Sequence, residues 1–184
     1  MKRVHVSCLL AALIATHAIA DGPYLGTRPV PGSTAPRIVK EGVGFKRIQV
    51  AIAQFSVPTD WQPKPAVVGV DFLSASGAET NVIVLSHANA RPPIAAPRVT
   101  ISNTLAHFCT APYESGIEVV NSNPFRHIAL GYCKEVGQAQ AKPYFLFVEL
   151  RTPTHILHIM RAQTSDLRVA KSELSALAES ATLE

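Results

Sequence analysis

The chain is poor in charge and in aromatic rings: 16% of its 184 residues are Asp, Glu, Lys or Arg, and 7% are Phe, Trp or Tyr. Its 17 Lys and Arg against 13 Asp and Glu leave a formal net charge of +4, with the basic residues scattered. Strong nucleic-acid binders concentrate such charge on one face or in one run, with stacking rings nearby. No specific nucleic-acid partner is therefore expected. The sequence also lacks a phosphate-binding loop, a dinucleotide fingerprint, a zincin helix and a nucleophile elbow. Those absences exclude the compact catalytic motifs, though not a site assembled from distant residues. No cofactor is expected.

Long apolar runs are scarce as well. One opens the chain, MKRVHVSCLLAALIATHAIAD, where Lys2 and Arg3 precede an apolar stretch ending near Ala15. Ala18-Ile19-Ala20 then has the small-x-small pattern of a cleavage site. The stretch is short for a bilayer span. Residues 1–20 are read as a signal peptide, with Asp21 as the mature N-terminus and no stable transmembrane anchor. The expected location is periplasmic or secreted.

Only three cysteines occur. Cys8 lies in the leader, which leaves Cys109 and Cys133. An even count in an oxidising compartment implies one disulfide. Between them runs the clearest hairpin pattern in the chain, out over Gly116 to Val120, turning at Asn121 to Pro124, and back over Arg126 to Glu135. Ile128, Leu130 and Tyr132 alternate there with Ala129, Gly131 and Cys133. The cysteines are expected to latch the open end of that hairpin. The passage GIEVVNSNPFRHIAL resembles strand-turn-strand passages of immunoglobulin-like periplasmic chaperones, over that one piece and with no residue role implied.

What is present reads as a β-rich domain punctuated by 14 prolines and 10 glycines. Residues 21–36, DGPYLGTRPVPGSTAP, form a flexible or extended arm, with Tyr24 as a candidate binding contact. Residues 37–184 are read as a single domain. KRIQVAIAQFSVP alternates at Ile48, Val50 and Ile52, then changes parity at Phe55 and Val57, which predicts a bulge near Ala53 or Gln54. TDWQPKPA reads as a loop, because Pro63 and Pro65 oppose a strand interior. Trp61, its tryptophan, is either a core cap or a binding anchor. AVVGVDFL and NVIVLS form a hairpin. HANARPPIAAP is a loop, RVTIS a short strand, and Asn103 to His107 a turn. YFLFVEL and THILHIMR form another hairpin, with Glu149 and Arg161 near its open side. Leu167, Ala170, Leu174, Leu177 and Ala181 recur at spacings of three and four, so 166–181 is an amphipathic helix capped by Ser165 or Asp166. The expected fold is mainly β, an antiparallel β-sandwich or curled sheet with one C-terminal amphipathic helix.

The candidate chemistry is thin. Asp71 sits in an apolar strand and meets His87 if the strands pair suitably. With His107 and His127 they are the weak catalytic candidates. His155 and His158 make an HxxH, but residues three apart on a strand point to opposite faces, so no metal site is expected. A cysteine nucleophile is a less simple account of Cys109 and Cys133 than a staple. Glu118 and Glu149 lie in strands, with nothing to set them across a cleft. Arg126 beside Phe125 is a candidate contact for phosphate or sugar. The reading is an exported extracytoplasmic binding or assembly protein whose partner is a protein or an envelope component, met through Tyr24, Trp61 and Arg126. The alternative is a secreted hydrolase or toxin-like enzyme with a His/Asp or metal site assembled across strands. The enzyme requires those residues to converge. The binding protein requires an exposed apolar patch or sheet edge.

Overall fold

The structure is a computed structural model that describes residues 27–183 apart from 33, 67, 75–76, 88–94 and 137–142. The leader, Tyr24 and the first part of the arm lie outside the described residues. Along the chain come β1 (Arg28–Pro29), β2 (Pro36–Glu41), β3 (Phe45–Val50), β4 (Ala53–Pro58), β5 (Gln62–Pro65), β6 (Val70–Leu73) and β7 (Glu79–Ser86). They are followed by α1 (Pro97–Phe108), β8 (Tyr113–Asn123), β9 (Arg126–Glu135), β10 (Tyr144–Arg151), β11 (His155–Thr164), α2 (Leu167–Ser180) and β12 (Thr182–Leu183).

Two antiparallel sheets hold these strands. The larger runs β5-β6-β7-β11-β10-β9-β8, with β1 added beside β7, and the smaller runs β12-β4-β3-β2. The inner strands of the larger sheet are apolar on both sides, and each side is covered. On one side the small sheet and α2 bury Ile48, Val50, Phe55, Leu174 and Leu177 against Val82, Leu130, Val148 and Leu157. On the other side α1 buries Ile101 and Leu105 against Ala129, Phe145 and Phe147. Complete burial of such side chains contributes roughly 1.5 to 3 kcal/mol each. The expectation of a mainly β, antiparallel fold with a C-terminal amphipathic helix holds. Helices on the large sheet's two faces set the whole apart from the immunoglobulin-like sandwich that one hairpin resembles.

Several local expectations change. The parity switch after Val50 is not a bulge but a tight turn, with Val50 opposite Ala53 and Ala51 at φ 52°. A two-residue hairpin loop needs left-handed backbone, and alanine is forced into it here. RVTIS is not a strand: with the predicted turn after it, it makes α1, whose buried residues Thr100, Ile101, Thr104 and Leu105 recur one helical turn apart. Pro97 starts the helix at a position where its missing N–H is no loss. The helix approaches so closely that a Cβ on Gly131 of β9 would collide with Ile101. TDWQPKPA contributes β5 after all. It is an edge strand, where two prolines are tolerated on the outward positions. The other edge, β8, carries a register shift between Val119 and Asn121.

The Cys109–Cys133 disulfide forms, with Cα atoms 6.3 Å apart. It closes the open end of the β8–β9 hairpin, where Tyr113 stands opposite Glu135, as expected, and it does more than that. Cys109 is the C-cap of α1, its N–H donating to Leu105 O at 2.8 Å, while Cys133 lies within β9 between Ser115 and Phe145. The bond fastens a helix to a sheet. The latch was legible in the sequence; the helix ending at Phe108, which the same bond fastens, was not foreseen.

Candidate functional site

The most unusual chemistry lies on the side of the large sheet that α1 covers. The β10–β11 register sets Glu149 opposite His158 and Arg151 opposite Ile156. Strand alternation points Glu149 and Arg151 to the same side as Phe147, under α1. The Glu149 side chain is 0% exposed; one oxygen lies 3.0 Å from His158 Nε2 and the other 2.5 Å from Arg151 Nη2. An ionised carboxylate only accepts, so its contact with His158 Nε2 is a hydrogen bond in the tautomer that carries a proton there. The His158 ring packs against Phe147, centroids 4.8 Å apart. Arg151 continues outward: Nη1 donates to Ala95 O at 2.7 Å and Nη2 approaches Thr100 Oγ1 at 3.5 Å.

Electrostatics explains why these three groups are found together. An ionised carboxylate alone in this core would lose several kcal/mol of hydration. Arg151 on one oxygen and His158 on the other offset that loss. Arg151 also stands by the N-terminal end of α1, where the helix dipole disfavours a cation. The Ala95 carbonyl and Glu149 compensate. Glu149 and His158 are both buried, and Arg151, with 14% of its side chain exposed, carries the cluster toward the surface.

The sequence-predicted residues do not assemble. Asp71 is half-buried and opposite Asn81, whose Nδ2 donates to Asp71 Oδ1 at 2.8 Å. Burial raises the Asp71 pKa above its ordinary 3.8, Glu79 adds to the rise, and the Asn81 hydrogen bond and Lys64 oppose it. His87 follows the end of β7, six residues beyond Asn81, or about 20 Å along a strand. Its Nε2 meets Thr152 O at 2.9 Å. His107 is exposed on the last turn of α1, edge-on to Phe108. His127 stands opposite Arg151 with Nδ1 3.0 Å from Ser122 Oγ. His87 and His127 thus share one end of the sheet, three strand spacings or about 14 Å apart. His155 is held below the ordinary histidine pKa, first by burial and then by the nearby His87. Among the described residues, no three His, Cys, Asp or Glu side chains gather as a metal site.

The two described binding candidates, Trp61 and Arg126, are engaged by the fold itself. Trp61 is 2% exposed, with the Arg161 guanidinium 4.7 Å from its ring centroid and Phe72 beside it. Arg126 donates to Ala178 O, Glu179 O and Ala181 O at 2.5, 2.8 and 2.7 Å, satisfying the carbonyls at the end of α2. Burial lowers its pKa, and Glu179 partly restores it. Glu149 and Arg161 do not pair either: Arg161 stands opposite Leu146, on the α2 side, and binds Thr80 and Glu173. The pairing of Glu149 with Arg151 and His158 did leave a signal. Once YFLFVEL and THILHIMR are set as a hairpin turning after Arg151, Glu149 and His158 fall opposite one another.

Large apolar side chains reach solvent at the ends of two hairpins. Val43, between β2 and β3, is 100% exposed and its neighbour Phe45 is 39% exposed. Phe125, between β8 and β9, is 76% exposed; Val119, also exposed, lies back along β8 opposite Ala129. The β2–β3 end was not singled out from sequence, and at the β8–β9 end Phe125 was named only beside Arg126, as a contact for phosphate or sugar. VGF and NPF, apolar residues inside turn composition, were the available cue.

No family model matches the chain, and no curated protein sequence does. Solved structures do resemble it. One is cyanobacterial PsbP (CyanoP) from Synechocystis sp. PCC 6803, at a TM-score of 0.56 and 10% identity, over 87% of this chain and 99% of that one. At that identity the likeness is one of fold alone. Another is LpqN of Mycobacterium tuberculosis, described as involved in cell envelope biogenesis, at a TM-score of 0.49 and 11% identity over 85% of this chain and 89% of that one. That score carries no argument about function here. No helix among the described residues is long and apolar enough to cross a membrane.

Proposed function

We propose that the chain is an exported, extracytoplasmic binding or assembly protein, working in the periplasm or outside the cell. One observation carries the binding half: Val43, Phe45 and Phe125 stand exposed at the ends of two hairpins of an otherwise well-packed fold. Large apolar side chains at projecting turns are suited to contact another surface. The export half rests on the leader pattern of residues 1–20 and on a disulfide that suits an oxidising compartment. In this reading residues 21–36 form an arm on a single domain over 37–184. The arm's described end, β1, adds to the sheet beside β7. The partner is a protein or an envelope component.

Expression with the native leader followed by cell fractionation tests export. Mature protein beginning at Asp21, outside the cytoplasm and with no thiol open to alkylation before reduction, is the expected result. Full-length protein in the cytoplasm with Cys109 and Cys133 both alkylated overturns it. Binding is tested by placing a photo-crosslinking side chain at position 125 in the exporting cells. One discrete adduct is expected, and the same crosslinker at exposed His107 serves as the control. Identical patterns from both positions overturn the assignment of the hairpin ends.

A further inference from the structure

The small sheet has an outer face whose chemistry matches one kind of surface. Phe45, Arg47 and Gln49 alternate along β3 with the buried Lys46, Ile48 and Val50, so they point away from the core. Arg37 lies opposite Gln49 and Lys40 opposite Arg47, which brings Arg37, Lys40 and Arg47 to that same outer face. Arg37 and Lys40 are exposed on the edge strand. Arg47 is fixed across the sheet by Gln54, Ser180 O and Thr182. The hairpin's carboxylate, Glu41, stands opposite Lys46 on the other side. Beyond this cationic face projects Val43, with Gly42 and Gly44 flanking it and the Phe45 ring beside Gly42.

We propose that the β2–β3 hairpin docks the protein on an anionic lipid surface, with Val43 and Phe45 entering the headgroup layer and Arg37, Lys40 and Arg47 facing the lipid phosphates. Interfacial binding strength scales with buried apolar area plus attraction to anionic lipid, and this hairpin supplies both. A soluble polyanion uses only the cations and leaves Val43 without a role. An apolar protein partner uses Val43 and leaves three like charges uncompensated. The inference deepens the binding reading by naming lipid as the envelope component. It is independent of export, whose failure shows in fractionation and leaves the vesicle result unchanged.

Vesicle sedimentation is the test. The chain is purified as recovered from the exporting host, and each variant is compared in that same form, so any retained leader is common to all. Wild type is expected to sediment with vesicles of equal parts phosphatidylglycerol and phosphatidylcholine and to stay in solution with phosphatidylcholine alone. Val43→Ser with Phe45→Ser is expected to weaken partition about tenfold. Arg37→Gln and Lys40→Gln each weaken it about fivefold, and added salt does the same to wild type. Val43→Trp adds a second readout. Trp61 is buried and gives a constant background, so an emission blue shift with the anionic vesicles alone reports insertion at the hairpin. The Val43 side chain makes no packing contribution that folding depends on, so Val43→Ser and Val43→Trp carry the test even where Phe45→Ser disturbs the turn. No sedimentation with anionic vesicles overturns the proposal, as does partition unchanged by Val43→Ser and Phe45→Ser. Binding to heparin that survives those two changes, with no vesicle binding, reassigns the face to soluble polyanions and also overturns it.

Discussion

The two helices cover opposite sides of one sheet and are held there by opposite means. α2 is fastened through side chains at both ends. Asp166 accepts from Val169 N at 3.0 Å, Arg126 caps its last carbonyls, and Glu173 and Lys171 bind Arg161 and Glu118. Each cap favours the helix and suits its dipole. α1 has neither advantage. Its N-cap is Ala96, which offers no side-chain acceptor, and the cation nearest its N-terminal end is Arg151. The disulfide at Cys109 and the ion cluster beneath Arg151 stand in for caps. A helix with weak intrinsic signals can therefore be placed by one covalent bond at its end and one buried charge network under its start.

Breaking that network gives the largest expected effect. Glu149→Ala leaves Arg151 and His158 without their carboxylate in the core, and unfolding in urea should show a loss of about 3 to 5 kcal/mol. Replacing the trio together, Glu149→Leu with Arg151→Met and His158→Leu, should be close to neutral or stabilising by comparison. A large loss in both variants overturns the account of α1 as held by charge. Removing the disulfide comes next. Cys109→Ala with Cys133→Ala should lower stability by about 3 to 4 kcal/mol on the chain-entropy account. Hydrogen exchange should quicken in α1 far more than in α2, and equal quickening in both erases the contrast drawn between them. Third, Asp166→Ala should remove about 1 kcal/mol and Arg126→Ala about 1 to 2 kcal/mol, with faster exchange confined to α2.

The smallest effect is a pH dependence on the α1 side, at a residue that α1 does not touch. The folded Asp71 pKa lies above its ordinary 3.8. The folded state then binds more protons than the unfolded chain as pH rises from about that value. Stability contributed by the protonated carboxyl is present below 3.8 and is lost as pH rises through the folded pKa. Asp71→Asn should therefore gain on wild type at neutral pH and lose that gain near pH 3.8, measured as the difference in urea midpoint. A difference independent of pH removes Asp71 from the titrating groups.

The same contrast explains what could be read from the chain. α2 was legible because Leu167, Ala170, Leu174 and Leu177 keep helical spacing and an Asp precedes them. α1 was not, because Val99, Thr100 and Ile101 form a β-branched run that favours strand. Packing overrides that preference: Ile101 meets Gly131, and the Thr104 hydroxyl donates to Thr100 O at 2.9 Å. Pro97 was the available start signal. Pairing the two cysteines needed only their count and compartment, whereas the fastening of α1 depended on knowing that Cys109 ends a helix. The ion cluster was hidden for a different reason. Glu149, Arg151 and His158 come together only through strand register, and register depends on where the turn begins. Trp61 and Arg126 looked like contact residues because sequence shows their chemistry but not the ring and carbonyls that occupy them.

The edges of the large sheet lead to one more consequence. β5 ends it on one side with Pro63 and Pro65, and β8 on the other with Glu114, Glu118 and a break in register. An incoming strand finds missing donors at the first and a kinked, acidic line at the second. Neither edge can seed a growing stack of copies. The large sheet thereby resists edge-to-edge pairing between copies, and the hairpin tips can stay apolar without making its edges sticky.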